Sequence, residues 1–285
     1  MHAARVSTGN FSSHSKESTM PDLPIHEFNI FDHNRMAWDR QAKSRCEWSQ
    51  PVSADVIAAA RRGDWSVHLT PGPLPPDWLT DVRGQRILCL ASAGGQQAPI
   101  LAAAGAEVTV FDASAMQLAQ DEWVARRDGL ALNIAQGDMC DLSDFEDESF
   151  DIVIHPISNL YVPDVRPVWH ECFRVLRARG GRLLSSFFNP VVFVADRDPE
   201  LAAQGLIRPR FKIPYADVRD LTPAELALKR AEGALVFGHS LSEQIGGQLE
   251  AGFLLKGFYE DEQPKPRFVI DNFLPTFLAT LALKC

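Results

Sequence analysis

The chain has 285 residues and a formal net charge of −9, with 46% hydrophobic and 23% charged side chains. These proportions are those of a globular protein, so wholesale disorder is excluded. The acidic balance disfavours nucleic acid and an anionic membrane surface as partners and favours a small molecule.

Residues 1–20 are rich in Ser, Thr and His, with no apolar run for a secretory signal, and read as a disordered leader. Residues 21–80 read as a helical N-terminal cap: a helix over 28–46, then a shorter one N-capped by Ser53 and stopped at Gly63. The proline-rich stretch 69–77 is a rigid connector. From Arg86 onward, short apolar runs alternate with helical stretches. Strands are expected at 86–90, 107–111, 132–135, 150–154 and 182–187, and helices at 97–104, 114–128 and 165–176. Ser114 and Gln117 have capping-box spacing, as do Ser240 and Glu243, the latter opening a helix that ends near Gly252. Two last strands, at 253–259 and 277–284, are separated by a charged loop. Continuous apolar strands in an alternating β/α order predict an α/β fold. It is a doubly wound, mostly parallel seven-stranded sheet with an antiparallel C-terminal hairpin. Residues 190–237 interrupt the rhythm with charge and prolines and are expected to form a lid insertion in the domain over 81–285.

Five scattered cysteines without a C-x-x-C pair suggest neither a disulfide framework nor a zinc ribbon, and no metal site is expected. Cys89 and Cys172 sit among apolar neighbours and read as buried thiols. The longest apolar stretch, 87–111, is broken by Gly94-Gly-Gln-Gln97 and cannot span a bilayer, which makes a cytoplasmic location the default expectation.

In an open parallel sheet, ligands bind beyond the carboxyl ends of the strands. Four segments fall there. Ala91-Ser-Ala-Gly-Gly-Gln-Gln97 follows the first strand, and its small residues let a ligand approach the backbone. Asp112 ends the second strand, where a carboxylate can accept both hydroxyls of a ribose. Gly137-Asp138-Met139 follows the third; Asp138 can accept from an adenine amino group while Met139 packs on the ring. His155-Pro-Ile-Ser-Asn159 follows the fourth, and His155 is a candidate general base. Asn189, after the fifth strand, is a weaker candidate of the same kind.

Ile87-Leu-Cys-Leu-Ala-Ser-Ala-Gly-Gly95, Val108-Thr-Val-Phe-Asp112-Ala-Ser114, Gly137-Asp-Met139, Phe150-Asp-Ile-Val-Ile-His155 and Arg174-Val-Leu-Arg-Ala-Arg-Gly-Gly181 stand in a particular order and spacing. Together they resemble the class I S-adenosylmethionine-dependent methyltransferases over about residues 85–190. The chain looks most like a bacterial small-molecule branch with a helical cap around Asn34-Arg-Met-Ala-Trp-Asp39. The resemblance implies methyl transfer from S-adenosylmethionine to a small acceptor by in-line displacement. It implies contacts to the methionine portion from Ala91, Ser92, Gly94 and Gly95, with Gln96 or Gln97 assisting. Asp112 would bind the ribose, and Ala113, Ser114, Gln117, Asp138 and Met139 would surround the adenosyl group. His155 and Ser158 would lie near the sulfonium. Trp38, Asn159, Tyr161 and Asn189 are expected on the acceptor side. The chain departs from the family pattern at Cys89, where the family has an acid, and at Ala91 and Ala93, where it has glycines. Two rival readings are a protein that binds the adenosyl cofactor with reduced turnover and an NAD-dependent oxidoreductase.

Overall fold

The apolar runs Ile87-Leu-Cys-Leu90 and Val108-Thr-Val-Phe111 have no polar face to offer water, so both sides of their sheet must be covered. The computed structural model, which describes residues 28–285, covers them with helices on each face. The expected leader over 1–20, and the cap as far as residue 27, lie outside the described residues.

The chain opens with α1 (Ile30–Lys43), N-capped by Asn29, whose side chain accepts from the Asp32 amide at 3.1 Å. Next comes α2 (Ala54–Arg61), capped by Ser53 as its sequence predicts. Then follow β1 (Arg86–Leu90), α3 (Gln97–Ala103), β2 (Glu107–Asp112), α4 (Ala115–Asp128), β3 (Leu132–Gln136), β4 (Ile152–Pro156), α5 (Arg166–Val175) and β5 (Gly181–Phe188). Between β5 and the closing hairpin run α6 (Pro199–Ala203), β6 (Tyr215–Ala216), α7 (Asp217–Asp220), α8 (Pro223–Glu232) and β7 (Phe237–Gly238). The chain ends with α9 (Gly247–Glu250), β8 (Leu254–Asp261) and β9 (Phe277–Lys284).

The sheet order is β3-β2-β1-β4-β5-β9-β8. The first five strands are parallel, and β9 is antiparallel to both β5 and β8, so the expected seven-stranded sheet and hairpin are present. Strand order reverses between β1 and β4, so their carboxyl ends diverge into a crevice. Alternate residues of each strand feed two cores. Ile87, Cys89, Val110 and Ile154 pack with Ala98 and Leu101 on one face. Leu88, Leu90, Phe111 and Val153 pack with Trp169 and Cys172 on the other. Both Cys89 and Cys172 are fully buried, in keeping with their apolar neighbours.

The covered-strand expectation fails at β3, which is an edge strand with Asn133, Ile134 and Gln136 exposed. The capping box at Ser240 and Glu243 forms, with Ser240 N to Glu243 Oε2 at 2.8 Å and Glu243 N to Ser240 Oγ at 3.2 Å. The helix it opens begins as a π-helical turn over Ser242–Gly246 before α9. Among the described residues, no helix is long and apolar enough to cross a membrane.

Residues 190–237 form a small annex. Its β6–β7 pair is antiparallel, and a third apolar cluster of Leu160, Val192, Phe193, Tyr215 and Val236 anchors it. Asn34 of α1 fastens the cap to this annex. Its amide donates to the carbonyls of Tyr161 (2.9 Å) and Leu235 (3.0 Å), and its oxygen accepts from Leu235 N (2.8 Å).

Candidate active site

A cavity of about 470 Å³ lies over the switch between β1 and β4. Its floor comes from the turns after β1, β2, β3 and β4, and α1 and the connector after Leu69 close it from above.

The turn after β1 carries the largest departure from the sequence pattern. Ala91 and Ala93 stand at φ 47° and 67°, so this backbone keeps a glycine-like left-handed path without glycine. Each such alanine costs on the order of 1–2 kcal/mol, which surrounding contacts must offset. Those contacts come chiefly from α4. Gly94 N donates to Gln117 Oε1 at 2.9 Å, and Gly95 N donates to Asp121 Oδ1 at 2.8 Å. The Gln117 amide also donates to Ser49 Oγ at 2.6 Å. Gly94 is also sterically required, because a Cβ there would meet the Gln117 carbonyl oxygen at 2.3 Å.

Two expectations change here. Gln117 does not close a capping box with Ser114, since its amide is committed to the turn and to Ser49. The amides of Gly94 and Gly95 are likewise already taken, and neither glycine lines the cavity. Ser92 does line it, and its hydroxyl is buried with no partner among the described residues.

Asp112 ends β2 half-buried in the cavity wall, and its Oδ1 accepts from Ser114 N at 2.8 Å. Burial pushes its carboxyl up to about 6, against the backbone donation from Ser114 and with the nearby Asp39 charge adding to the rise. Ser114, expected at the adenosyl group, is fully buried and off the wall. Its hydroxyl donates to Asp39 Oδ1 at 2.7 Å and accepts from Gln117 N. Asp39 Oδ1 also accepts from Met116 N at 3.2 Å, so this α1 carboxylate pins the cap to the start of α4. Asp39 was visible only as part of the cap motif, because nothing local in sequence shows a contact 75 residues away.

Ala113, Asp138, Met139 and Gln96 all lie on the wall, as expected. Asp138 Oδ1 accepts from Cys140 N at 2.9 Å, which shapes the turn after β3. Asp121, buried behind the β1 turn, is pushed up to about 8 by that burial. It therefore holds a proton at neutral pH.

The turn after β4 is the second strained element. Ile157 has φ 59°, which is rare for a β-branched residue. Its amide donates to the Ser186 carbonyl at 2.9 Å and to Ser186 Oγ at 3.1 Å. Ser158 lines the cavity and donates to the carbonyls of Ala91 and Pro156, tying the β4 turn to the β1 turn.

His155 is not where the sequence places it. It is fully buried, outside the cavity wall, with Nδ1 3.0 Å from the Leu90 carbonyl and its ring edge-on to Trp169 at 6.0 Å. The alternation of β4 turns it toward α5, because His155 shares its face with Val153 and not with Ile154. Burial drives it down to about 4, so it is neutral, and a base role at a reacting centre does not fit this position.

Asn159 also faces inward, donating to Gln244 Oε1 at 2.9 Å, and Asn189 caps the following turn by accepting from Val191 N. Neither reaches the cavity. Trp38 and Tyr161 do, as an edge-to-face pair with ring centroids 5.2 Å apart.

The acceptor-side walls differ from expectation in one more way. No residue of the 190–237 annex lines this cavity; Phe188, Arg267 and Phe277, from the ends of β5 and the hairpin, do so together with α1. Long sequence separation hid Arg267 and Phe277 from motif reading.

The residues fit an adenosyl cofactor. The half-buried carboxylate of Asp112, Ser92 and the Asp138-Met139 turn line one cavity at the strand switch. The Methyltransferase domain family model matches residues 88–184. The uncharacterized methyltransferase YbaJ of Bacillus subtilis is 49% identical over 255 residues, covering 88% of this chain and 97% of YbaJ. Among solved structures, the S-adenosylmethionine-dependent methyltransferase of Mesorhizobium loti shares the fold at TM-score 0.56 and 18% identity, covering 73% of this chain and 94% of its own. The corresponding protein of Methanosarcina mazei does so at TM-score 0.52 and 19% identity, covering 74% and 98%. These matches set the oxidoreductase reading aside. The chain belongs to the class I S-adenosylmethionine-dependent methyltransferases and uses S-adenosylmethionine as its cofactor.

Proposed function

We propose that this methyltransferase acts on a small-molecule acceptor, with Asp112 holding the ribose hydroxyls. The observation that carries the reading is Asp112 beside the Ala91–Ala93 turn on one cavity of about 470 Å³. That volume falls within the range of small-ligand sites, roughly 300–1,000 Å³. The net charge of −9 further supports a small acceptor over a polyanionic one.

Bound S-adenosylmethionine supplies a methyl group already activated on a sulfonium. The chain's task is then chiefly to orient the acceptor and exclude water, and orientation alone can supply roughly 7–11 kcal/mol. The Ala91–Ala93 backbone gives the methionine portion close approach. Ala113, Asp138 and Met139 surround the adenine side, with Gln96 at the opposite rim. Ser158 fixes the turn near the reacting end. Trp38 and Tyr161 wall the acceptor side and shield it from water. His155 lies off the wall, but His68 lines this cavity, with Nδ1 3.2 Å from the Gly72 carbonyl.

Titration calorimetry with S-adenosylmethionine and NAD, followed by transfer from methyl-labelled cofactor to a small-molecule panel, to RNA and to protein, tests the reading. Binding of S-adenosylmethionine but not NAD is expected, with label in the low-molecular-weight fraction. Label accumulating in RNA or protein instead would overturn the acceptor class. Full cofactor affinity in Asp112→Ala would overturn the ribose assignment.

A further inference from the structure

A second cavity, of about 570 Å³, abuts the first and shares three aromatic residues with it: Trp38, Trp48 and Tyr161. Its opposite side comes from the annex, through Lys229, Glu232 and Val236. The annex thus does border a ligand-sized space, but one separated from the cofactor cavity by the Trp38–Tyr161 pair.

Lys229 is the unusual member. It is partly buried in α8, and burial lowers its ammonium below the usual lysine range. Among the described residues its ammonium has no hydrogen-bond or ion-pair partner. The neighbouring acid, Asp217, favours its charge through space, as Glu232 does more weakly, but neither forms a hydrogen bond or ion pair with it among the described residues. Asp217 is buried and spends its two oxygens on Tyr215 OH at 2.7 Å and Val236 N at 2.8 Å. Glu232 lies exposed at the rim, a turn further along α8, outside ion-pair distance among the described residues. Three arginines of the annex are ion-paired in place: Arg208 with Asp196 at 2.6 Å, Arg210 with Glu225 at 2.6 Å and Arg219 with Asp220 at 2.7 Å. A desolvated ammonium without a partner is costly unless an anion joins it. The walls beside it are indole and phenol rings, which favour a flat apolar body.

We infer that the second cavity is a binding site for a ligand with a planar apolar body and a carboxylate, the carboxylate meeting Lys229 and the body lying against Trp38, Trp48 and Tyr161. Resting on the small-acceptor reading above, this names the acceptor class: an aromatic or similarly flat carboxylic acid whose reacting end passes the Trp38–Tyr161 pair toward the cofactor. Lys229 sets specificity and takes no part in the chemistry.

The probes are 2-naphthoate and its neutral isostere 2-naphthamide, titrated calorimetrically into the full chain with and without saturating S-adenosylmethionine. Naphthoate is expected to bind at least tenfold more tightly than the amide, and to do so with the cofactor in place. Lys229→Met should abolish that preference while keeping amide binding and cofactor affinity within twofold, and Lys229→Arg should restore it. Equal affinities for the two probes, a preference surviving in Lys229→Met, displacement of the cofactor by naphthoate, or no binding at millimolar concentration would each overturn the inference. Cofactor affinity, read separately, reports on the adenosyl site, so failure there is distinguishable from failure here.

Discussion

Asp112 permits a quantitative test, because its carboxyl is raised to about 6 by burial before any ligand arrives. Ribose hydroxyls donate to the ionised form, so cofactor binding and loss of this proton go together, and affinity must rise with pH. With a free-protein value near 6, Asp112 is ~90% ionised at pH 7 and ~9% ionised at pH 5. The dissociation constant should therefore weaken ~10-fold between those pH values, close to 1.4 kcal/mol. A carboxyl at its ordinary value would stay ~90% ionised at pH 5 and give almost no change. Two other buried groups keep their state across this window. Asp121, at about 8, keeps its proton throughout, and His155, at about 4, stays largely neutral. Calorimetry at constant ionic strength, run in two buffers of different ionisation enthalpy, reads both the affinity and the proton released. The release should approach one proton at pH 5. In Asp112→Asn, binding should be weaker by ~10-fold or more at pH 7 and independent of pH from 5 to 7. A wild-type change under twofold, or an undiminished slope in the variant, would refute the assignment.

The same shift has a stability counterpart in the ligand-free protein. The folded carboxyl binds its proton more tightly than the unfolded one, so stability falls as pH rises between ~4 and ~6, and the ionised group costs on the order of 1–3 kcal/mol at neutrality. Asp112→Asn should raise the ligand-free melting temperature at pH 7 while lowering affinity; a lower melting temperature contradicts this. Asp39→Ala removes the acceptor of Ser114 Oγ and Met116 N, and should weaken cofactor binding several-fold and speed proteolysis within α1. Unchanged protease resistance would show that the cap is held by other contacts. His155→Leu loses the bond to the Leu90 carbonyl and should destabilise by roughly 1–3 kcal/mol in denaturant unfolding, with cofactor affinity within twofold. A tenfold affinity loss in the folded variant would return His155 to the site.

The elements most legible in sequence were those with sharp local signals. The runs of β1 and β9 end at polar or glycine residues and fell where expected, and Ser53 announced α2. Ends of strands could likewise be read as cavity-facing, and Asp112, Asp138 and Met139 stand on the cavity wall. Illegible were the contacts made across the fold. Gln117 has the spacing of a capping partner, but its side chain serves the buried Gly94 amide and Ser49 hydroxyl, and the Ser114 amide it would cap donates to Asp112 instead. His155 follows a buried strand as an active-site base would, yet strand alternation, fixed by which face Val153 takes, sends it to the α5 side. The annex was readable as an insertion, but not which cavity it would border.

The first turns of α4 are gripped from two sides: Asp39 of the cap holds Ser114 and Met116, while Gln117 and Asp121 hold the Gly94 and Gly95 amides. The cap and the strained turn after β1 thus hang on one lever. Thermodynamic reciprocity then applies: whatever settles the turn must also tighten the cap, and by the same free energy. Occupancy of the adenosyl side would in this way firm the aromatic wall carried by α1, and a reactant held on that wall would firm the adenosyl side in return.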